Sequence, residues 1–364
     1  MIEPSPSPIV PRGRRAIDLS AVDDVLSRLA ERGWHTSAQV AVSVDDSVSD
    51  TVIGTVRCGS VPATRTTRFR WSCATKLLTV VALGILRDEG RIRFDDSLCA
   101  HVNSLDEGVF GRIRLSHLLT HTAGIAGDPV GDTPAGVDRV EMLDAIRAAG
   151  LEWEPGSTAS YTPQTGWCLL SWVVESAAAT PFDVFLAERI FAPLGLEHST
   201  VRWDGRSPAG ASEAALYDMS ARPPAVLLDD RSDPEWSAGV SGSGPAFELV
   251  RVMDVLRGAR EARLVSGETL REIRSAHRRG LVDVSNGMSL DWGLGIVRDR
   301  RLFSPRCSSE AFGHLGDGGS VITFGDARLN LAVAIVFDGA ARPMAALARQ
   351  AGVVTAVMRA VANH

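Results

Sequence analysis

The chain is short of lysine, tyrosine and cysteine. Of its 38 basic side chains only Lys76 is a lysine, Tyr161 and Tyr217 are the only tyrosines, and there are five cysteines in 364 residues. Cys58, Cys73, Cys99, Cys168 and Cys307 are odd in number and widely spaced, with no C-x-x-C among them. That spacing argues against a disulfide framework and a zinc site, and suits a reducing, cytoplasmic setting. A formal charge of −6 offers no basic footprint for nucleic acid. No uninterrupted apolar run reaches the roughly 18–20 residues that a membrane span needs. The first 15 residues carry Pro and Ser where a secretory signal has its apolar core, so they read as a disordered arm. The expectation is a cytoplasmic protein with neither a membrane nor a nucleic-acid partner.

The shortage of lysine makes the one that is present informative. Arginine can serve solvation, salt bridges and anion binding, but its guanidinium keeps its proton, whereas a buried ammonium shifts its pKa readily. Lys76 is therefore the first functional suspect.

Helical periodicity over 17–33 is followed by β-branched alternation at 39–44 and 51–56, which predicts a hairpin around 45–50. Helices are predicted over 73–89, 137–149, 167–179, 182–192, 246–257 and 343–361. Strands are predicted at 293–298, 320–324 and 329–337. Strands at both ends with helices between imply an α/β (α+β) fold: one antiparallel sheet built from both termini and flanked by helices, with a mostly helical inserted domain. The boundaries read as 16–70 plus 235–364 for the sheet domain and 71–234 for the helical one. A ligand is expected in the cleft between them.

The segment F-R-W-S-C-A-T-K (69–76) follows a loop and opens a helix. Cys73 and Lys76 are three apart and share a helical face. The helix dipole and the amine both favour the thiolate. A nucleophile beside a base is the minimum unit for covalent acyl transfer.

This segment resembles the F-R-x-x-S-x-x-K fingerprint of the serine β-lactamase and penicillin-binding-protein superfamily, in its class C and esterase branch. The resemblance continues through 90–98, I-R-L-S-H-L-L-T-H-T-A-G-I (113–125), E-P-G-S-T-A-S-Y (154–161), 191–196, W-G-L-G (292–295) and F-G-H-L-G-D-G-G-S (312–320). It implies a β-lactamase/transpeptidase-like fold. Position by position it makes Cys73 the nucleophile, Lys76 the general base and Tyr161 the proton-shuttling tyrosine. His314 and Gly316 fill the third motif. The backbone N–H groups of Cys73 and Asp317 would form the oxyanion hole.

Three positions depart from the family pattern. Cys73 stands where the family has serine; Ser72, one residue earlier, is out of the motif's register. Pro163 replaces an amide-bearing asparagine, a loss that Gln164 could make good. His314 with Asp317 suits a substrate carboxylate poorly and a cationic amine better.

A thioester on Cys73 favours amines over water as acceptors. The expected activity is therefore acyl transfer from an ester or thioester donor to an amine or alcohol, as in amide formation in specialised metabolism. A carrier-protein- or coenzyme-bound donor is one option. The alternatives are an esterase-like hydrolase using the same acyl-enzyme, and a catalytically inactive binding protein. No cofactor or metal is expected: His117 and His121 are four apart but lack an evident carboxylate third ligand, and read as local braces of the cleft. Trp292, with Trp153 and Trp236, is a candidate for the pocket wall. Cys58, Cys99, Cys168, Cys307 and Tyr217 read as structural, and G-V-S-G-S-G (239–244) as a turn.

Overall fold

A computed structural model of the chain describes residues 16–56, 61–132, 138–201, 213–221, 223–228 and 237–364. The N-terminal arm, Cys58 and Trp236 lie outside the described residues.

Helix α1 (Ser20–Glu31) leads into strands β1 (Ser37–Val44) and β2 (Ser47–Val56). The predicted six-residue loop at 45–50 is a two-residue turn. Asp45 and Asp46 both take positive φ (49° and 67°), as a primed hairpin turn requires, so β2 starts four residues earlier than expected. The C-terminal third supplies β3 (Phe312–Leu315), β4 (Val321–Asp326) and β5 (Leu331–Phe337). The six-stranded order is Val61–Pro62, β2, β1, β5, β4, β3, with every pairing antiparallel. The central pairing, β1 with β5, joins the two ends of the chain, as the pattern predicts.

Alternation along the central strands divides the core in two. Val40, Val42, Val333, Ile335 and Phe337 face α1 and the C-terminal helix α5 (Pro343–Ala362), meeting Leu26, Val353 and Val357. Ala41, Ala332, Ala334 and Val336 face the other way. They join a larger core that includes α2 (Lys76–Asp88), α3 (Thr165–Ala178) and α4 (Ala246–Arg257). The small residues on that face let α4 lie close to the sheet. By length and composition α5 could cross a bilayer. Its apolar side packs on the sheet instead, with Val353 and Val357 fully buried.

Two further sequence expectations need correcting. The segment 293–298 is not a strand; it makes isolated bridges, Trp292 to Val297 and Val297 to Gly313. Gly295 adopts φ +73°, and a Cβ there would lie 2.4 Å from Val80, so close packing on α2 decides the conformation. The predicted helix 73–89 is a 3₁₀ turn, Ser72–Thr75, followed by α2.

Candidate active site

The turn that carries Cys73 is held before any chemistry is considered. Phe69–Arg70 pairs with Ser243–Gly244, and the Trp71 N–H donates to the Gly242 carbonyl (2.8 Å). Ser72 then takes φ +44°, a left-handed value that costs a non-glycine residue about 1 kcal/mol or more. The bend sets Cys73 at the lip of α2. The Ser72 hydroxyl faces that of Ser320 (3.4 Å). Thr75 Oγ1 locks the turn, donating to the Ser72 carbonyl (2.6 Å) and accepting from the Gly242 N–H (2.9 Å).

Lys76 is fully buried. Its Nζ donates to the Gly239 carbonyl (2.8 Å) and lies 5.5 Å from the ring centres of both Tyr161 and Trp167. Burial lowers its pKa; the charge and hydrogen bond of Cys73 and the charge of Asp128 oppose that shift. The Cys73 thiol also acts on Tyr161. Its phenol is pushed well above 10, first by burial and then by Cys73. Lysine and tyrosine thus move in opposite directions: the amine is prepared to accept a proton, and the phenol keeps its own. The sequence-predicted Cys73, Lys76 and Tyr161 come together.

Tyr161 is placed from behind. Its N–H donates to Asp283 Oδ1 (3.0 Å), and Asp283 forms a buried ion pair with Arg278 (3.3 Å). Its ring lies against His121 (centroids 4.4 Å apart), which meets Trp292 edge-on (4.8 Å). His121 accepts the Thr162 N–H on Nδ1 (3.3 Å), and burial together with Lys76 holds it neutral, well below the usual histidine range. Trp292 is itself 3% exposed, so it backs His121 and Tyr161 and would offer a ligand little surface. His117 braces locally, accepting the Arg114 N–H on Nδ1 (3.2 Å). Among the described residues no group of three or more His, Cys, Asp or Glu is arranged to hold a metal.

Across the cleft, β3 presents His314. Its Nδ1 lies 2.9 Å from the Leu315 carbonyl and 3.0 Å from the Leu315 N–H, and its Nε2 is buried without a partner. Burial, then Lys76, lower its pKa to about 3, so the imidazole is neutral in ordinary buffers. The Gly316 N–H donates to Val321 O, and the Gly318 N–H to the Asp317 carboxylate (both 2.8 Å). The Asp317 side chain is exposed at the mouth.

Gln164 is half-buried at the start of α3, its N–H held by Asp128 Oδ2 (3.1 Å). Asp128 also accepts the Thr165 N–H (2.7 Å) and caps α3. Sequence reasoning missed Asp128 and Gly239. Asp128 carries no motif. Gly239 lies in a glycine-rich stretch read as a turn; a Cβ there would lie 2.4 Å from Pro163 O and 3.5 Å from Lys76 Nζ.

The "Beta-lactamase" family model matches residues 22–356. The chain belongs to the beta-lactamase family. A relative in that family, penicillin-binding protein 4 of Amycolatopsis lactamdurans, is 27% identical over 274 residues, covering 71% of this chain and 70% of the relative. A penicillin-binding protein homologue from Caulobacter crescentus superposes with a TM-score of 0.79 at 21% identity, covering 94% of this chain and 97% of the other. EstCE1, described as a hydrolase with promiscuous acyltransferase activity, superposes at 0.77 and 20% identity, covering 92% and 97%. At these identities the structural likenesses establish the fold: a mixed α/β molecule with an antiparallel sheet, as in beta-lactamases and penicillin-binding proteins.

Proposed function

We propose that this beta-lactamase-family chain is an acyltransferase that carries its acyl group on Cys73. The observation that carries the reading is the convergence on Cys73 of a fully buried Lys76, whose Nζ lies 5.5 Å from the Tyr161 ring centre, and of Tyr161 itself, the thiol shifting the titration of both. Lys76 takes the thiol proton as sulfur attacks the carbonyl of an ester or thioester donor. The oxyanion meets the backbone N–H groups of Cys73 and Asp317. Collapse expels the alcohol or thiol, which recovers the proton from Lys76 with Tyr161 as relay. An amine or alcohol then attacks the thioester and passes its proton to Lys76, and Cys73 leaves as thiolate. The sum is acyl–X plus H–Nu giving acyl–Nu plus H–X, with no cofactor consumed.

Two features support transfer and the class of substrate. A thioester discriminates for amines over water more strongly than an oxoester does. A neutral His314 cannot pair with a substrate carboxylate, while the exposed Asp317 at the mouth favours a cationic amine. Amide formation from a small-molecule, carrier-protein-bound or coenzyme-bound donor in a cytoplasmic pathway fits this chemistry. Hydrolysis is the second reading, supported by the likeness to EstCE1, a hydrolase with promiscuous acyltransferase activity. Incubating donor with increasing amine and following products by mass separates them. The amide should rise at the expense of free acid; free acid alone at every amine concentration contradicts the transferase. Catalytic labelling and release at Cys73 contradict an inactive binding protein.

A further inference from the structure

Arg349 lies on α5, on the far side of the sheet edge from the nucleophile, and its residue is 0% exposed. A buried guanidinium is ordinarily paired with a carboxylate. The hydrogen bonds of this one go to backbone carbonyls, while the buried Asp338 carboxylate supplies a nearby opposing charge. Nη2 donates to Gly319 O and Gly339 O (both 2.8 Å), and Nη1 donates to Trp34 O. The guanidinium also stacks on Phe337, 4.1 Å from the ring centre.

Gly319 ends the turn that follows His314. Gly318 and Gly319 both take left-handed φ (54° and 68°), and both are boxed in. A Cβ on Gly318 would lie 2.5 Å from Ala340 Cβ, and one on Gly319 would lie 2.7 Å from Ala346 Cβ. The Ala341 N–H fixes the Gly318 carbonyl (3.0 Å). The turn is therefore clamped from outside by α5 and by Ala340–Ala341 just before it, and the residue that it presents to the cleft is Asp317.

We infer that Arg349 is a positioning residue for acyl transfer: by gripping the carbonyls of Gly319 and Gly339 it sets the Asp317 N–H at the depth where the oxyanion forms. This rests on the assignment of that N–H to the oxyanion hole in the proposed function. Arg349 touches neither substrate nor Cys73, so its effect is selective. Attack on a carbonyl needs the oxyanion donor; alkylation of the same thiol by iodoacetamide does not.

The experiment compares two rates at Cys73 in the full chain: acylation by p-nitrophenyl acetate and alkylation by iodoacetamide. Arg349→Met should slow acylation by about 10²-fold, the scale of a lost or misplaced oxyanion donor, with alkylation within about two-fold of native. Arg349→Lys, which keeps a donor, should recover part of the loss. Should Arg349→Met not fold, Gly319→Ala perturbs the same turn with the arginine in place, and the same selective loss is expected. A parallel fall in both rates, or unchanged acylation in folded variants, overturns the inference. If native Cys73 is alkylated but never acylated, the acyl-enzyme reading itself fails and this one falls with it.

Discussion

On the nucleophile side of the cleft, Cys73 and Lys76 share a single turn of backbone. On the opposite side, the turn that carries Asp317 is gripped by an arginine 30 residues further along the chain. The first wall is short in sequence: one 3₁₀ turn and one helix start carry both Cys73 and Lys76, with the 239–244 segment pinning them from across the chain, and an error of register would displace both at once. The second wall is assembled from β3, β4 and α5, three elements that meet only when the sheet is complete. In the proposed mechanism, proton transfer is thus encoded in a short word, and the stabilisation of charge depends on the whole fold.

The contrast is sharpened most by attacking the local wall. Lys76→Arg keeps the charge but removes the ability to release a proton. It should slow acylation by about 10²–10⁴-fold, the worth of general-base catalysis, measured as the burst with an activated ester. Tyr161→Phe should cost less, about 10²-fold, because the phenol relays a proton and the amine still accepts it. A native burst in Lys76→Arg would contradict the role given to the amine.

Titration probes the buried, non-local side. His314 and His35 both have their pKa lowered from 6.5 to about 3, in each case chiefly by burial. Their folded-state pKa values lie below those of the unfolded chain, so between about 3 and 6.5 the unfolded state binds more protons. The stabilisation is complete above pH 6.5 and is lost as the pH falls towards 3. Thermal midpoints should decline across that window, and His314→Gln should flatten the slope. His314→Gln should also leave the shape of the pH–rate profile between pH 5 and 9 unchanged, because the native imidazole does not titrate there. A new or missing limb in that range would contradict a neutral His314.

The smallest effect is expected at Ser72. Its hydroxyl meets Ser320, and its backbone supplies the bend. Ser72→Ala should keep acylation within about three-fold of native, since only a weak side-chain contact is removed. A loss comparable with that of Lys76→Arg would transfer the nucleophile role to Ser72.

The same division explains what the sequence made legible. Lys76 is legible as the chain's only lysine, and Cys73 by its spacing of three from it at a helix start. The sheet was found because the alternation of β1 and β5 survives in the residues themselves. The hairpin was misjudged because Asp45–Asp46 supports a two-residue turn that strand propensity alone does not reveal. The segment at 293–298 has strand composition, yet Gly295 bends it onto α2. Gly239, Asp128 and Arg349 left no readable sign. Each acts through a backbone group or a long-range charge, and such partners carry no spacing rule.

The most direct measurement is the intact mass and peptide map of the protein after brief exposure to an activated acyl donor. The account predicts a single acyl adduct on Cys73, released by hydroxylamine at neutral pH as a thioester is, transferred to added amine, retained in Ser72→Ala and absent in Cys73→Ala. An adduct on Ser72, or full turnover in Cys73→Ala, would contradict it.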